Sequence, residues 1–133
     1  VNMADANLAG ADLSGAILVL SNANGANLAG ADLSCSILMG VNLNGANLNG
    51  ACLSDAILVE SNVNGANLAG ADLSYTKFES ADLERANLTG AYMSKTIMQS
   101  VNLKDANLTD VNLKGANLHD VDLNGAIFKN TKF

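Results

Sequence analysis

Every fifth residue of the chain, from Met3 to Phe133, is apolar. This column has 27 members: 19 Leu, three Met, three Phe, Val63 and Ala23. Two residues ahead of it runs a second column from Val1, with 16 Ala, five Val, three Ser and three Thr. The register holds through all 133 residues, and a fixed internal period outranks local propensity as a guide to architecture. The segment VNLNGANLNG, residues 41–50, shows two copies of the five-residue phrase.

A period of five suits neither a helix, which repeats near 3.6, nor a long strand, which repeats at two. Inside one phrase the two small or apolar places are two apart, as in Ala46 and Leu48. That spacing gives a minimal extended piece with both side chains on one face. The chain must then turn at places four and five before the pattern starts again. All 12 glycines stand at place five, where a type II turn requires positive φ. Glycine thins out at this place after Gly70, so the later corners are expected to use other turns, with negative φ at Arg85, Lys95 and Asp105.

A longer period sets the size of one coil. AILVL at 16–20, SILMG at 36–40 and AILVE at 56–60 match one another better than their neighbours, and SNANG at 21–25 answers SNVNG at 61–65. Four phrases therefore make one coil, roughly square in section. Between six and seven coils, stacked at about 4.8 Å, give a rod on the order of 30 Å long. The third-place column is expected to point inward throughout, with places two and four mainly exposed. Ala23 in the Leu column is expected to thin the packing locally, since cutting Leu to Ala over a cavity costs about 2–5 kcal/mol. At place two, Asn7, Asn27, Asn47, Asn67, Asn87 and Asn107 are expected to form a ladder of stacked amides, and Asn2, Asn22, Asn42 and Asn62 a second.

The phrase, standing as ADL at 11–13, 31–33, 71–73 and 81–83 and as ANL at 6–8, 26–28, 46–48, 66–68, 86–88, 106–108 and 116–118, resembles the pentapeptide-repeat family over the whole chain. The resemblance implies an all-β fold, a right-handed quadrilateral β-helix with four pentapeptides per coil, here one domain over residues 1–133. The family includes gyrase-protecting proteins that resemble DNA and many members with no established activity.

Composition narrows the function. The hydrophobic share is 49%, much of it Ala, and aromatic residues make up 4%, which suits a narrow solenoid core packed coil on coil. No apolar stretch approaches the roughly 20 residues of a membrane span, and no leader is recognisable. Val1 already occupies a core column, so the chain reads as a processed or truncated piece. Catalytic signals are scarce, and no enzyme, cofactor or metal is expected. His119 is the single histidine, on an outward place. Cys35 and Cys52 lack any CxxC or zinc spacing and read as free thiols, which favours a reducing compartment such as the cytoplasm. Asp12, Asp32 and Asp72 form a column interrupted by Cys52, far from the six to eight oxygens that calcium gathers at one point. Thr76, Thr96 and Thr131 fall on inward places, too few for a flat ice-binding row.

Two functional readings remain. The net charge of −6 lies wholly in the first 76 residues, with six acids and no base, so one reading is an acidic rod that mimics DNA toward a protein such as gyrase. Duplex DNA carries one charge per about 1.7 Å, hence about 11 over the same length, and seven bases follow Thr76. The favoured reading is a structural or interaction scaffold. Ile17, Val19, Leu20, Ile37, Met39, Ile57 and Val59 take places that should face out, on one side of three successive coils. Lys77 and Glu79 break this stripe, Ile97 resumes it, and Asn117 with His119 ends it. A contiguous exposed apolar patch marks an interaction site more often than scattered single residues do. The expected partners are another protein or a second copy, joined through the strip or by end-to-end coil stacking. Neither direct nucleic-acid binding nor membrane contact is expected.

Overall fold

The computed structural model describes residues 1–133, and no helix occurs in it. Each phrase has three extended residues, of which the second forms a bridge, and then a two-residue corner. The bridges join residues twenty apart in parallel, from Asn2 with Asn22 to Asn112 with Lys132, so four phrases make one coil. Below, side one carries residues 1–5 and their equivalents at steps of twenty, side two 6–10, side three 11–15 and side four 16–20. No helix is long and apolar enough to cross a membrane.

Backbone polarity explains why this repeat closes into coils. Asn47 N–H donates to the Ala26 carbonyl at 2.9 Å, Leu48 N–H to Asn67 at 2.7 Å, and Gly50 N–H to Ala69 at 2.9 Å. Ala51 N–H closes the corner on the Leu48 carbonyl at 3.0 Å, four residues spanning the turn. The amides of places one, two, three and five are thereby bonded to backbone, which removes the penalty of burying them. The place-four N–H has no backbone acceptor in any phrase.

Core residues at places one and three are buried without a break from Ala23 to Leu113. Within a coil, small Ala alternates with Leu, so the sides approach closely enough for the Leu side chains to fill the centre. Buried hydroxyls at place one are satisfied by main-chain carbonyls: Ser36 donates to Leu33 at 2.6 Å, Ser61 to Leu58 at 2.7 Å, Thr96 to Met93 at 2.9 Å, and Thr76 to Leu53 at 2.8 Å.

Three expectations need correction. Places two and four are half-buried more often than exposed, because their side chains stack on the equivalent places of the coils above and below. The third-place column does not stay inside throughout, since Phe128 is 42% and Phe133 72% exposed. A core side chain here is covered by coils above and below it, and these two rings have a coil on one side only. They lean on each other instead, with centroids 6.0 Å apart. The corners do not change type either. Every place-five residue has positive φ, including Arg85 at 58°, Lys95 at 59° and Asp105 at 58°. A left-handed conformation costs an L-residue about 1–2 kcal/mol. The stack imposes it because the peptides on both sides of Arg85 are bonded: Arg85 N–H reaches the Lys104 carbonyl at 2.9 Å, and Ala86 N–H returns to Leu83 at 3.0 Å. Negative φ at place five would rotate these two peptides relative to each other and break at least one of the bonds.

Candidate interaction surface

Place two decides the chemistry of each side. Wherever it holds Asn or Asp, the side-chain Oδ1 accepts the N–H of place four, the amide the backbone leaves over. The bonds run from 2.9 Å for Ser34 on Asp32 to 3.4 Å for Ala9 on Asn7. The expected amide ladder forms on side two from Asn7 to Asn87, with Nδ2 of Asn27, Asn47, Asn67 and Asn87 each donating to Oδ1 of the residue twenty earlier at 3.1–3.2 Å, and stops short of Asn107. On side one Asn42 donates to Asn22 at 3.3 Å. These are Asx turns stacked into columns, and they make place two a structural position.

Side four departs from this rule. Its place-two column reads Ile17, Ile37, Ile57, Lys77, Ile97 and Asn117, bridged in that order. An isoleucine cannot accept, so the amides of Val19, Met39 and Val59 have no hydrogen-bond partner within the protein, whereas His119 N–H bonds Asn117 Oδ1 at 3.1 Å. Ile17 is 72% and Leu20 79% exposed. Val19 and Met39 are also exposed, and Ile37, Ile57 and Val59 are half-buried between the coils that flank them. The seven residues expected to form a strip thus share side four and its adjoining corner over three coils. Beyond Val59 the strip meets exposed Lys77 and half-buried Glu79, whose Oε2 is buried and accepts no hydrogen bond.

Other chemically active groups are dispersed. His119 stands on the surface and pairs only with Asp120, at 3.2 Å. No three His, Cys, Asp or Glu side chains converge on one point. Cys35 and Cys52 are free thiols on side three, with Cys52 Sγ 3.4 Å from Ser54 Oγ. The 13 acids occupy all four sides, and Asp12, Asp32 and Asp72 share one column with Cys52 between the last two. The Ser14 hydroxyl, donating at 2.7 Å, and its N–H, at 3.1 Å, hold the Asp12 carboxyl below its ordinary range. The one cavity, about 10 Å³, lies beside Ala23 and is lined wholly by apolar residues, among them Met3, Leu28 and Leu43.

Sequence reasoning missed two features. The unpartnered amides of side four follow from Ile standing where Asn or Asp would at positions 17, 37 and 57, a legible signal once the place-four N–H is known to need an acceptor. On side three, exposed Tyr75 and Tyr92 sit on successive coils, and Lys95 Nζ lies 3.2 Å from the Tyr75 hydroxyl and 5.2 Å from its ring centroid.

The family model for pentapeptide repeats matches the chain in overlapping segments, 1–44, 24–58, 36–74, 66–105 and 102–133. A pentapeptide repeat protein of the Arabidopsis thaliana thylakoid lumen is 37% identical over 73% of this chain and 68% of its own, with a TM-score of 0.71. HetL, a pentapeptide repeat protein involved in heterocyst differentiation regulation in the cyanobacterium Nostoc sp. strain PCC 7120, is 32% identical over 96% of this chain and 65% of its own, with a TM-score of 0.49. A third such protein, Rfr23 from the cyanobacterium Cyanothece 51142, is 37% identical over 80% of this chain and 63% of its own, at a TM-score of 0.45. The chain spans about two thirds of the length of these relatives. No curated protein sequence matches it.

Proposed function

Because the chain belongs to the pentapeptide-repeat family and has its right-handed quadrilateral β-helix, we propose that it acts as a non-enzymatic interaction scaffold whose side four docks another protein. The observation that carries this is the exchange made at Ile17, Ile37 and Ile57. Each of these positions gives up an Asx bond to the amide two residues on, and places an aliphatic side chain at the surface instead. A net hydrogen bond contributes about 0.5–1.5 kcal/mol, so three successive coils forgo stability to keep the strip apolar. A covering partner recovers it, since full burial of a Val or Ile side chain is worth about 1.5–3 kcal/mol.

The rest of the surface supports the same function. In the first 76 residues, which hold no base, the longest acidic row is Asp12, Asp32, Asp55 and Asp72 on side three. It carries one charge per coil of about 4.8 Å against one per about 1.7 Å in duplex DNA, so a DNA-like ladder of charge has less behind it than the strip does. Two free thiols suit a reducing compartment such as the cytoplasm. The strip also gives two copies a way to associate side by side, and sedimentation at rising concentration measures this.

The test uses the double variant Ile37→Asn, Ile57→Asn, which restores place-two acceptors. Proteins from the source cell that cross-link to the wild type should be lost from the variant, while gyrase supercoiling should be unaffected by either. An identical set of cross-linked proteins would remove side four from the function. Inhibition of supercoiling by both forms would favour the acidic rod.

A further inference from the structure

On the reading that side four is a docking face, we infer that its occupant is an extended, apolar peptide segment carrying one Lys or Arg, which pairs with Glu79 and Glu60 where the strip ends. The segment class follows from area. Four sides and two coil ends share 5898 Å² of accessible surface. Three coils are less than half of one side, so the strip falls short of the roughly 800 Å² each partner buries in a standard interface. That leaves a second folded copy under-held, whereas a short extended segment is covered along its whole length. No strand edge is free along the side of the rod, because the bridges between coils use the place-two and place-three amides. The segment is therefore read through its side chains, with apolar ones over Ile17, Ile37 and Ile57.

The charge follows from the strip's boundary. Glu60 stands at the corner of the third coil and Glu79 on the same side of the fourth. The two ion pairs of the structure, Arg85 with Glu84 and His119 with Asp120, involve neither of them. Glu79 Oε2 is withdrawn from solvent with no donor to replace the water it has lost. Such an oxygen is poorly satisfied where it lies, and a side-chain rotation toward an incoming cation gives it a charge-assisted partner. Lys77, exposed in the Ile column of the same coil, is the one Lys or Arg of side four and offsets only one of the two carboxylates. A segment with a single positive charge balances the other. A segment with an acidic residue at that point would meet uncompensated repulsion.

The test displays a library of random ten-residue peptides to the folded wild-type protein and removes those that also bind the Ile37→Asn, Ile57→Asn variant. The surviving peptides should combine aliphatic residues with one Lys or Arg. Replacing that base by Gln should weaken binding about tenfold, and this loss should disappear in Glu79→Gln. Glu60→Gln serves as the second variant should Glu79→Gln alter folding, which circular dichroism reports. Surviving aliphatic peptides with no preference for a base would overturn the inference and leave the docking function standing. No peptide dependent on Ile37 and Ile57 would overturn both, as would a consensus rich in acids overturn the inference alone.

Discussion

Asn47 donates from Nδ2 to Oδ1 of Asn27 on the coil before, at 3.2 Å, while its own Oδ1 accepts from Asn67 on the coil after and from the amide of Asn49. One side chain thus joins three coils and closes a turn. Replacing it by Leu removes the acceptor and the donor together and should destabilise the protein by about 1–3 kcal/mol. Asp in its place keeps the Oδ1 that takes the Asn49 amide and should cost less. Chemical denaturation of both variants checks the order, and equal losses would mean the turn bond contributes nothing.

The uniform corners predict opposite effects at two exposed sites. Arg85 adopts φ 58° without the freedom of glycine, so Arg85→Gly should stabilise by about 1 kcal/mol. Gly50 has φ 64° with open space where a Cβ would stand, so Gly50→Ala should lose about 1–2 kcal/mol through backbone strain alone. Gly40→Ala should lose about as much, because Leu20, whose Cδ2 stands 2.6 Å from the new Cβ, is 79% exposed and can swing aside. Thermal unfolding of the three variants measures this ranking.

At Ile37 and Ile57 the fold and the docking function pull apart. Asn at both positions supplies acceptors for the Met39 and Val59 amides and should leave stability within about 1 kcal/mol of wild type, or above it. A loss of several kcal/mol in a melting experiment would mean the isoleucines hold the fold itself.

A cavity of about 10 Å³ lies beside Ala23, lined by Met3, Leu28 and Leu43 among others. Leu at position 23 must push Met3, Leu28 and Leu43 aside to add its isobutyl group, so Ala23→Leu should overpack and cost about 1–3 kcal/mol. A stability gain on introducing Leu would show instead that Met3 and Leu43 move aside readily.

Asp12 offers a pH readout. Its folded carboxyl lies below the ordinary range because Ser14 donates to it, first by the hydroxyl and then by the amide. A depressed acid contributes stability above its unfolded pKa and loses it as pH falls through the folded value. Ser14→Ala should therefore raise the Asp12 midpoint toward the ordinary Asp value in an NMR titration, and shrink the stability that is lost as pH falls through it.

The coil of four phrases, the inward Ala and Leu columns and the side on which Ile17, Ile37 and Ile57 stack were all legible, because each repeats at a fixed step and repetition overrides local ambiguity. The corners at Arg85, Lys95 and Asp105 were not. Local propensity argues against positive φ there, and the hydrogen bonds to Lys104, Lys114 and Asn124 that enforce it come from residues nineteen away. The meaning of Asn at place two was half legible: stacking of amides followed from the period, but the Asx bond required knowing which backbone N–H the ladder leaves over.

What the sequence by itself determined is the repeat: a period of five sets the phrase, a period of twenty sets the coil, and together they fix which side chains face in. What only the tertiary structure decided is how each phrase is held. Backbone groups bond between coils, so the stack dictates φ at every corner, strands one amide in each phrase, and leaves Val19, Met39 and Val59 without the acceptor that Asn and Asp provide elsewhere.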